Sequence, residues 1–463
     1  MSFPRYPEYK DSGVEWLGEV PGHWELLRVR QVATLNPSKS EVAALPPETE
    51  LSFLPMEAIG EDGRLDLQRT RPILEVSSGY TYFRDGDVTI AKITPCFENG
   101  KGAVICGLVG GAGFGTTELI VARPKPEETT SEYLHWVFVS QPFRKLGEAS
   151  MYGAGGQKRV PDDFVRDFRL AFPPLREQCA ISAFLDRETA KIDALVAEQQ
   201  NLIALLKEKR QALISHAVTK GLDPDVRMKD SGVAWLGEVP AHWVVLALSR
   251  IATERCDGPF GSGIKSEHYT DSGALVVRLQ NIRSNGFYVG EPAFLEFEYF
   301  EQELKRHEVV PGDVLIAGLG DENNVVGRAC VAPAGISPAL VKADCFRFRL
   351  DGGVVAAAFV AAQLNVSAVA DAGRLANGST RSRIPLSVMA TRVIALPSLA
   401  EQVEIVAFAE RERAAIDELI NEAETTIALL RERRTALISA AVTGKIDVRH
   451  IAVASAIPTP EPA

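Results

Sequence analysis

Two stretches of this 463-residue chain carry apolar residues at helical spacing over some 40 positions each. In the first, 176–218, neither proline nor glycine interrupts the pattern, and typical boundary residues flank it: Pro173 and Pro174 before, Gly221 after. Its apolar stripe consists of Ile181, Phe184, Leu185, Ile192, Leu195, Val196, Ile203, Leu206, Leu213 and Ile214. At 1.5 Å per residue the pattern predicts a helix of roughly 60 Å, and a single apolar stripe needs a partner.

The second stretch repeats the first at a constant offset, and its apolar stripe is preserved at Ile405, Phe408, Ile416, Leu419, Ile420, Ile427, Leu430, Leu437 and Ile438. Because each stripe needs a partner, we predict that the two helices pair antiparallel and hold two globular bodies at opposite ends of a rod. The predicted pairing residues are Ile181, Phe184, Ile192, Ile203, Leu206 and Leu213 in the first helix and Ile405, Phe408, Ile416, Ile427, Leu430 and Leu437 in the second.

A shared opening motif precedes each body. The segments KDSGVEWLGEVPGHW at 10–24 and KDSGVAWLGEVPAHW at 229–243 agree at 13 of 15 positions. A repeat this long indicates a duplicated domain and not a solenoid, whose units are far shorter. The His-Trp pair that ends both motifs is interpreted as a packing or docking element, since it recurs in both copies.

The two bodies have diverged, although a common frame remains. GDVTIAKITPCFENGKGAVI from Gly86 aligns with GDVLIAGLGDENNVVGRACVA from Gly312, and its alternation predicts a strand, a loop and a return strand. Near the end of each body an arginine, an apolar residue and a proline recur at Arg159 and Arg383. This pattern predicts two α+β domains built on one scaffold, with different loops and therefore different targets.

The loops carry side chains suited to base edges and phosphates, although the formal net charge is -11. Binding follows the charge on one face and not the sum, so the acidic total excludes only nonspecific coating of nucleic acid. An ordinary surface role is the alternative for each residue taken singly. The candidates are Lys92, Thr94, Asn99, Lys101, Gln157, Lys158 and Arg159 in the first body, and Lys265, Arg278, Gln280, Asn281, Arg283, Asn285, Arg381 and Arg383 in the second.

The sequence offers no catalytic or metal-binding motif. Its six cysteines form no CxxC pair, GGAGFG at 110–115 lacks the context of a dinucleotide loop, and ENGKG at 98–102 lacks the rest of a phosphate loop. We therefore expect no catalytic residue, no metal and no cofactor in this chain. Neither a signal peptide nor an apolar run of the length that spans a bilayer is present, so we expect a cytoplasmic protein.

These features together resemble the specificity subunit of a type I restriction–modification system. The resemblance rests on the two openings, on PPLREQ and PSLAEQ before the helices, on ITPCFENGKG, and on GPFGSGIKSEHY at 258–269. It implies two target recognition domains, each reading half of a bipartite asymmetric DNA site. It further implies that the helices form a coiled-coil spacer docking two methyltransferase subunits, with restriction subunits as further partners. S-adenosylmethionine, ATP and Mg²⁺ would then belong to those partner subunits.

The predicted organisation is α+β with a pseudo-twofold internal repeat. It comprises recognition domains at 1–172 and 223–396, spacer helices at 173–222 and 397–446, and a disordered tail at 447–463. Two alternatives remain from the residues alone. A two-headed adaptor for proteins would show no salt-sensitive preference among DNA duplexes, and an enzyme with an unrecognised site would modify DNA without added subunits.

Overall fold

The computed structural model describes residues 3–154, 156–260, 263–321, 324–370 and 382–450. The chain divides into two compact units. Unit 1 combines 1–200 with 424–463, and unit 2 is 201–423. Each unit therefore contains one body together with part of both long helices, whereas the boundaries predicted from the repeats assign each helix as one segment. Of the predicted tail, Asp447 and Val448 are buried, and 451–463 lies outside the described residues.

Unit 1 is a mixed α+β unit whose body carries two four-stranded sheets. In these sheets the strand orders are β6-β5-β10-β7 and β4-β11-β8-β9, and only β5 and β10 pair in parallel. The strands are β1 (Tyr9–Asp11), β2 (Glu19–Pro21), β3 (Glu25–Arg28), β4 (Ala33–Leu35), β5 (Glu50–Leu54), β6 (Thr70–Pro72), β7 (Thr81–Arg84), β8 (Val88–Ala91), β9 (Gly102–Val104), β10 (Ala112–Gly115), β11 (Leu119–Pro124) and β12 (Arg169–Phe172). The helices are α1 (Val29–Val32), α2 (Ile73–Val76), α3 (Ser131–Val139), α4 (Gln141–Ser150), α5 (Asp162–Asp167) and the long α6 (Leu175–Lys220).

Unit 2 repeats this plan, with four-stranded sheets in the orders β16-β26-β22-β24 and β17-β21-β18-β25. Its strands are β13 (Met228–Asp230), β14 (Glu238–Pro240), β15 (Val244–Ala247), β16 (Ala252–Cys256), β17 (Tyr269–Thr270), β18 (Ala274–Val277), β19 (Ile282–Arg283), β20 (Gly286–Phe287), β21 (Phe294–Leu295), β22 (Val314–Ala317), β23 (Leu319–Gly320), β24 (Ala329–Val331), β25 (Ala339–Val341), β26 (Cys345–Leu350), β27 (Ser382–Arg383) and β28 (Val393–Leu396). Its helices are α7 (Phe297–Tyr299), α8 (Ala357–Ala370), α9 (Leu386–Ala390) and the long α10 (Leu399–Val442). The predicted α+β class with an internal repeat is confirmed.

The two long helices, of 46 and 44 residues, begin and end close to the predicted bounds. Gly221 follows α6 with φ +79° and Gly444 lies just beyond α10 with φ +70°. Both glycines adopt the left-handed conformation that commonly ends a helix and that other residues rarely tolerate. Within the described residues, none of the helices combines the length and apolar content needed to cross a bilayer.

Segments of the two helices run antiparallel within each unit. In unit 1, Asp193 of α6 accepts a hydrogen bond from Nε of Arg434 of α10 at 3.0 Å. In unit 2, Asp417 of α10 pairs with Arg210 of α6. These two ion pairs are the same contact in the repeat, since the two aspartates occupy equivalent positions and so do the two arginines. An arginine at equivalent positions of the two helices, Arg210 and Arg434, therefore links one helix to the other.

Apolar seams accompany both ion pairs. In unit 2, Leu206, Ile416 and Ile420 form a buried cluster, against which Ile203 and Leu213 pack. In unit 1 the equivalent positions join the main core: Ile192 and Leu437 are buried in it, and Val196 and Leu430 pack against it. Toward the start of each helix, the predicted pairing residues pack into the globular cores instead. These are Ile181 and Phe184 in unit 1 and Ile405 and Phe408 in unit 2. Ile427 is also buried.

The His-Trp pair of each opening motif binds a glutamate in the first turn of a long helix. In unit 1, Glu177 accepts hydrogen bonds from Tyr6 Oη at 2.5 Å and Trp24 Nε1 at 3.0 Å, and His23 Nε2 lies 2.8 Å from it. Burial, together with the Glu177 hydrogen bond, raises the pKa of Tyr6 above its usual range. The interpretation of this pair as a packing element agrees with these contacts.

Unit 2 repeats the same arrangement, with one partner fewer among its described residues. Glu401 accepts from Trp243 Nε1 at 2.9 Å, and His242 Nε2 lies 2.8 Å from its other oxygen. A lysine at the end of the other long helix also contacts each motif. Lys445, just after α10, donates to the carbonyl oxygen of Glu19 at 2.9 Å, and Lys220, at the end of α6, donates to that of Glu238. Each opening motif therefore joins the beginning of one long helix to the end of the other.

Candidate nucleic-acid interface

In unit 1, four of the predicted contact residues meet along one short ladder. The amide of Thr94 donates to the carbonyl oxygen of Lys158 at 3.0 Å, and the amide of Val160 donates to that of Lys92 at 2.9 Å. Arg159 also forms a bridge with Tyr152, whose side chain is exposed. The structure thus brings Lys92 and Thr94 together with Lys158 and Arg159, although the two pairs lie far apart in the sequence.

Glu118 orients Arg159 in this ladder. Nε of Arg159 donates to Oε2 of Glu118 at 2.9 Å, and Nη2 donates to Oε1 at 2.7 Å. The hydrogen bonding from Arg159 lowers the pKa of the Glu118 carboxyl, so the pair is ionised at neutral pH. Charge-assisted bidentate pairs of this kind fix the plane of a guanidinium.

The other predicted residues of unit 1 lie in different surroundings. Thr94 Oγ1 donates to Glu98 at 2.8 Å and Asn99 Nδ2 donates to Glu61 at 2.7 Å, so both side chains have partners within the protein. Lys101 is half-buried, whereas Gln157 is exposed like Lys158. Asn99, Gln157 and Lys158 are thus the exposed members of this group.

In unit 2, a cavity of about 870 Å³ gathers a second set of predicted residues. Arg278, Gln280, Arg283 and Asn285 line it. Arg283 is exposed and its guanidinium lies 3.5 Å from the ring centroid of Tyr288, a cation–π contact that preorganises the side chain. A basic cavity of this size suits contact with a polyanion.

Some predicted residues of unit 2 are engaged elsewhere. Asn281 is 2% exposed, and its Nδ2 donates to the carbonyl oxygens of Tyr288 and Val289, so this conformation keeps its amide inside the protein. Arg278 donates to the carbonyl oxygen of Glu291, and Lys265 is exposed with its Nζ 3.4 Å from Glu267. Arg381 lies outside the described residues.

Arg383 occupies in unit 2 the place that Arg159 occupies in unit 1. Its strand β27 pairs with β23, and its Nε and Nη2 both lie 2.8 Å from Oδ1 of Asp344. The two acids, Glu118 and Asp344, occupy equivalent positions, since the offset between them equals the one that relates the two GDV motifs. The arginine pair was predicted from the sequence, whereas both acids were missed.

Sequence reasoning also missed three basic residues that line the cavity of Arg278 and Arg283: Arg210, which pairs with Asp417, and Arg328 and Lys342. Arg328 is 8% exposed, and its guanidinium donates to the carbonyl oxygens of Leu279 at 2.8 Å and Ile282 at 2.7 Å. It therefore holds the loop that carries Arg278 and Arg283. Lys342 lies beside Tyr269, with its Nζ 3.3 Å from the phenolic oxygen. Lys342 follows a buried strand, which is the signal that could have revealed it.

A half-buried acid beside Arg383 gives unit 2 a pH-dependent stability. Asp257 lines a cavity of about 450 Å³ with Phe260, Asp344 and Arg383, and burial raises its pKa to about 6. In an unfolded chain the pKa of Asp is about 3.9. The folded state therefore binds this proton more tightly, and its stability falls as pH rises from about 4 to 6.

Asp257→Asn is expected to stabilise unit 2 by about 1 to 2 kcal/mol at pH 7.5 and to have little effect at pH 4. A two-unit shift corresponds to about 3 kcal/mol, which is reduced because the group is partly exposed. The asparagine oxygen can still accept from the amides of Gly258 and Asp344, now 2.7 and 3.0 Å from the carboxylate. Denaturant unfolding at both pH values measures the difference, and an equal effect at the two would refute this assignment.

Two of three comparisons with known proteins find similar proteins. No protein-family model matches the chain. Over 189 residues it is 42% identical to the specificity subunit of the type I restriction enzyme EcoEI of Escherichia coli, covering 40% of this chain. That match spans 31% of the EcoEI subunit, so the chain aligns with under a third of that relative's length.

Two solved structures share the fold over nearly the whole chain. The HsdS subunit from Thermoanaerobacter tengcongensis is 17% identical with a TM-score of 0.58, covering 94% of this chain and 99% of that one. A chain from a structural study of complex assembly and conformational transition of the type I R-M system has 19% identity and a TM-score of 0.69, covering 91% and 98%. The chain is therefore similar to specificity subunits of type I restriction–modification systems, in sequence over part of its length and in fold over most of it.

Proposed function

We propose that this chain is the non-catalytic DNA-recognition subunit of a type I restriction–modification complex. Each body reads one half of a bipartite, asymmetric site in double-stranded DNA, and the helices set the spacing of the halves. Two methyltransferase subunits supply S-adenosylmethionine chemistry, and restriction subunits supply reactions that use ATP and Mg²⁺. No step of that chemistry is assigned to a residue of this chain.

This proposal rests on one observation: the two units share the same framework but carry different loops. Both units hold an acid-bound arginine on a short ladder, Arg159 in one and Arg383 in the other. Around these arginines the surfaces differ: Gln157 and Lys158 beside Arg159 are exposed, whereas Arg383 lines a cavity with Asp257 and Phe260. Two readers of unlike half-sites require this combination, because the frame positions each reader and the loops specify its bases.

The net charge of -11 fits a reader that depends on partners. Neutralising phosphates supplies most of the affinity in protein–DNA binding, and an acidic chain offers few cations for that purpose. Exposed Lys158 and Arg283 still place positive charge on the candidate surfaces. We therefore expect weak, salt-sensitive DNA binding by the chain alone and tighter binding when methyltransferase subunits are attached.

Exposed leucines on the long helices support the docking of two equivalent partners. Leu195 and Leu419 are 45% and 48% exposed and correspond to each other in the repeat. Leu205 and Leu429, also equivalent, are 54% and 61% exposed. Unit 1 contains Leu195 and Leu429, and unit 2 contains Leu419 and Leu205, so each unit presents the same pair. Apolar groups exposed at matching positions indicate a protein-binding surface.

Methylation mapping tests the proposed function directly. Adenine marks are mapped by single-molecule sequencing in cells carrying this gene and a methyltransferase partner, and in matched cells with this gene deleted. We expect a bipartite mark with two dissimilar halves, which disappears on deletion and returns on complementation. An unchanged set of marks, with the chain expressed and assembled with its partner, would contradict the proposal and favour a protein-binding adaptor.

A further inference from the structure

The two repeated ion pairs use the same edge of the guanidinium. Arg159 binds Glu118 through Nε and Nη2, and Arg383 binds Asp344 through the same two nitrogens. Neither Nη1 has a hydrogen-bond partner among the described residues. The end of each guanidinium, formed by Nη1 and Nη2, therefore offers two parallel N–H donors in one plane. This pair of donors is called the fork.

Exposure and position make these forks accessible. The side chain of Arg159 is 35% exposed and that of Arg383 is 54% exposed, whereas their acids are 23% and 17% exposed. The acid thus lies deeper than the arginine in each unit and supports it from below. An arginine that only balanced a buried acid would not need to present its terminal edge at the same place in both repeats.

The acid also selects what the fork can bind. A carboxylate beside the guanidinium cancels much of its charge and repels an approaching phosphate, which weakens backbone contact. A base edge is neutral and suffers little of this repulsion. The acceptors O6 and N7 of guanine match two parallel donors in the major groove, and a guanidinium fixed in plane loses less entropy on binding them.

We propose that Glu118 and Asp344 are positioning residues that aim Arg159 and Arg383 at a guanine in each half-site. The inference rests on the proposed function and deepens it, because it names the base that the repeated arginine reads. It also requires a G·C pair at the corresponding place of both half-sites, although the rest of the two halves differs. The diverged loops around each arginine then determine the remaining base pairs.

The test measures specificity and affinity separately. The chain is assembled with its methyltransferase subunits, and binding is titrated against the mapped site and every single-base-pair variant of it at two salt concentrations. Glu118→Gln is expected to reduce discrimination about 10-fold or more at one G·C position of one half-site. Affinity for a noncognate duplex should stay the same or rise, since a negative charge has been removed.

Three further variants separate positioning from a structural role. Arg159→Lys keeps the charge but lacks the fork, so it should lose discrimination at the same position. Asp344→Asn should give the corresponding loss in the other half-site only. Glu75→Gln is the matched control, because it makes the same charge change beside exposed Arg71, 3.1 Å away, and should leave every position unchanged.

Three results would overturn the inference. Equal weakening at all positions by both Glu118→Gln and Arg159→Lys would indicate a structural pair. Increased affinity with discrimination intact at every position would indicate phosphate contact. Should Glu118→Gln fail to fold, Arg159→Lys and Asp344→Asn decide the matter. A wild-type complex without any sequence preference would refute the proposed function, whereas a wild-type preference untouched by these variants refutes this inference alone.

Discussion

Glu177→Ala is expected to lower the free energy of unfolding by about 3 to 5 kcal/mol. The carboxylate is 6% exposed and accepts hydrogen bonds from Tyr6 and Trp24, both of which are buried, as well as contacting His23. Its removal leaves two buried donors without an acceptor, and each such group costs about 1 to 3 kcal/mol. The cavity left by the lost side chain adds to this cost.

Glu401→Ala in the other repeat is the matched comparison. Glu401 is 28% exposed and accepts from Trp243 beside His242, with no counterpart to the Tyr6 hydrogen bond among the described residues. Water can reach this site, so we expect a smaller loss of about 1 to 2 kcal/mol. Urea unfolding followed by tryptophan fluorescence measures both variants. Equal losses, or a larger loss for Glu401→Ala, would contradict the role assigned to burial.

The long helices were predictable because the residues that specify each helix lie within one continuous segment of the sequence. An apolar residue every three or four positions, prolines before and a glycine after are all read within one segment, and α6 and α10 follow that reading closely. The internal repeat added a second copy of the same evidence. The sequence also predicted that the two apolar stripes pair with each other. It did not predict that the stripe residues at the helix starts pack into the globular cores.

The contacts of the candidate DNA-binding side chains were less predictable because they depend on residues far apart in sequence. Glu118 reaches Arg159 across 41 positions, and no local pattern distinguishes it from other surface acids. Asn281 shows the opposite case: its amide suits a base edge, yet the fold uses it to bind the carbonyl oxygens of a neighbouring turn. Chemical type suggests a contact, whereas only the fold decides which way a side chain is directed.

In the proposed complex, replacing the exposed leucine pair of one unit by glutamates is expected to remove one methyltransferase subunit without unfolding the chain. For unit 1 the change is Leu195→Glu with Leu429→Glu, and for unit 2 it is Leu419→Glu with Leu205→Glu. Surface substitutions usually change stability by less than about 0.5 kcal/mol. Burying a carboxylate in a protein interface, in contrast, costs several kcal/mol, so assembly should weaken by more than about 100-fold.

Native mass spectrometry of the coexpressed complex counts the subunits, and urea unfolding checks that the chain still folds. Gln200→Glu is the control: it reproduces the glutamate found at the equivalent position 424 and lies about 140° from Leu195 around the helix. Because the two pairs are equivalent, each double variant should lose one partner and the quadruple variant both. Retention of two partners by the quadruple variant would show that docking uses another surface, and loss of both by one double variant would show that the two sites are coupled.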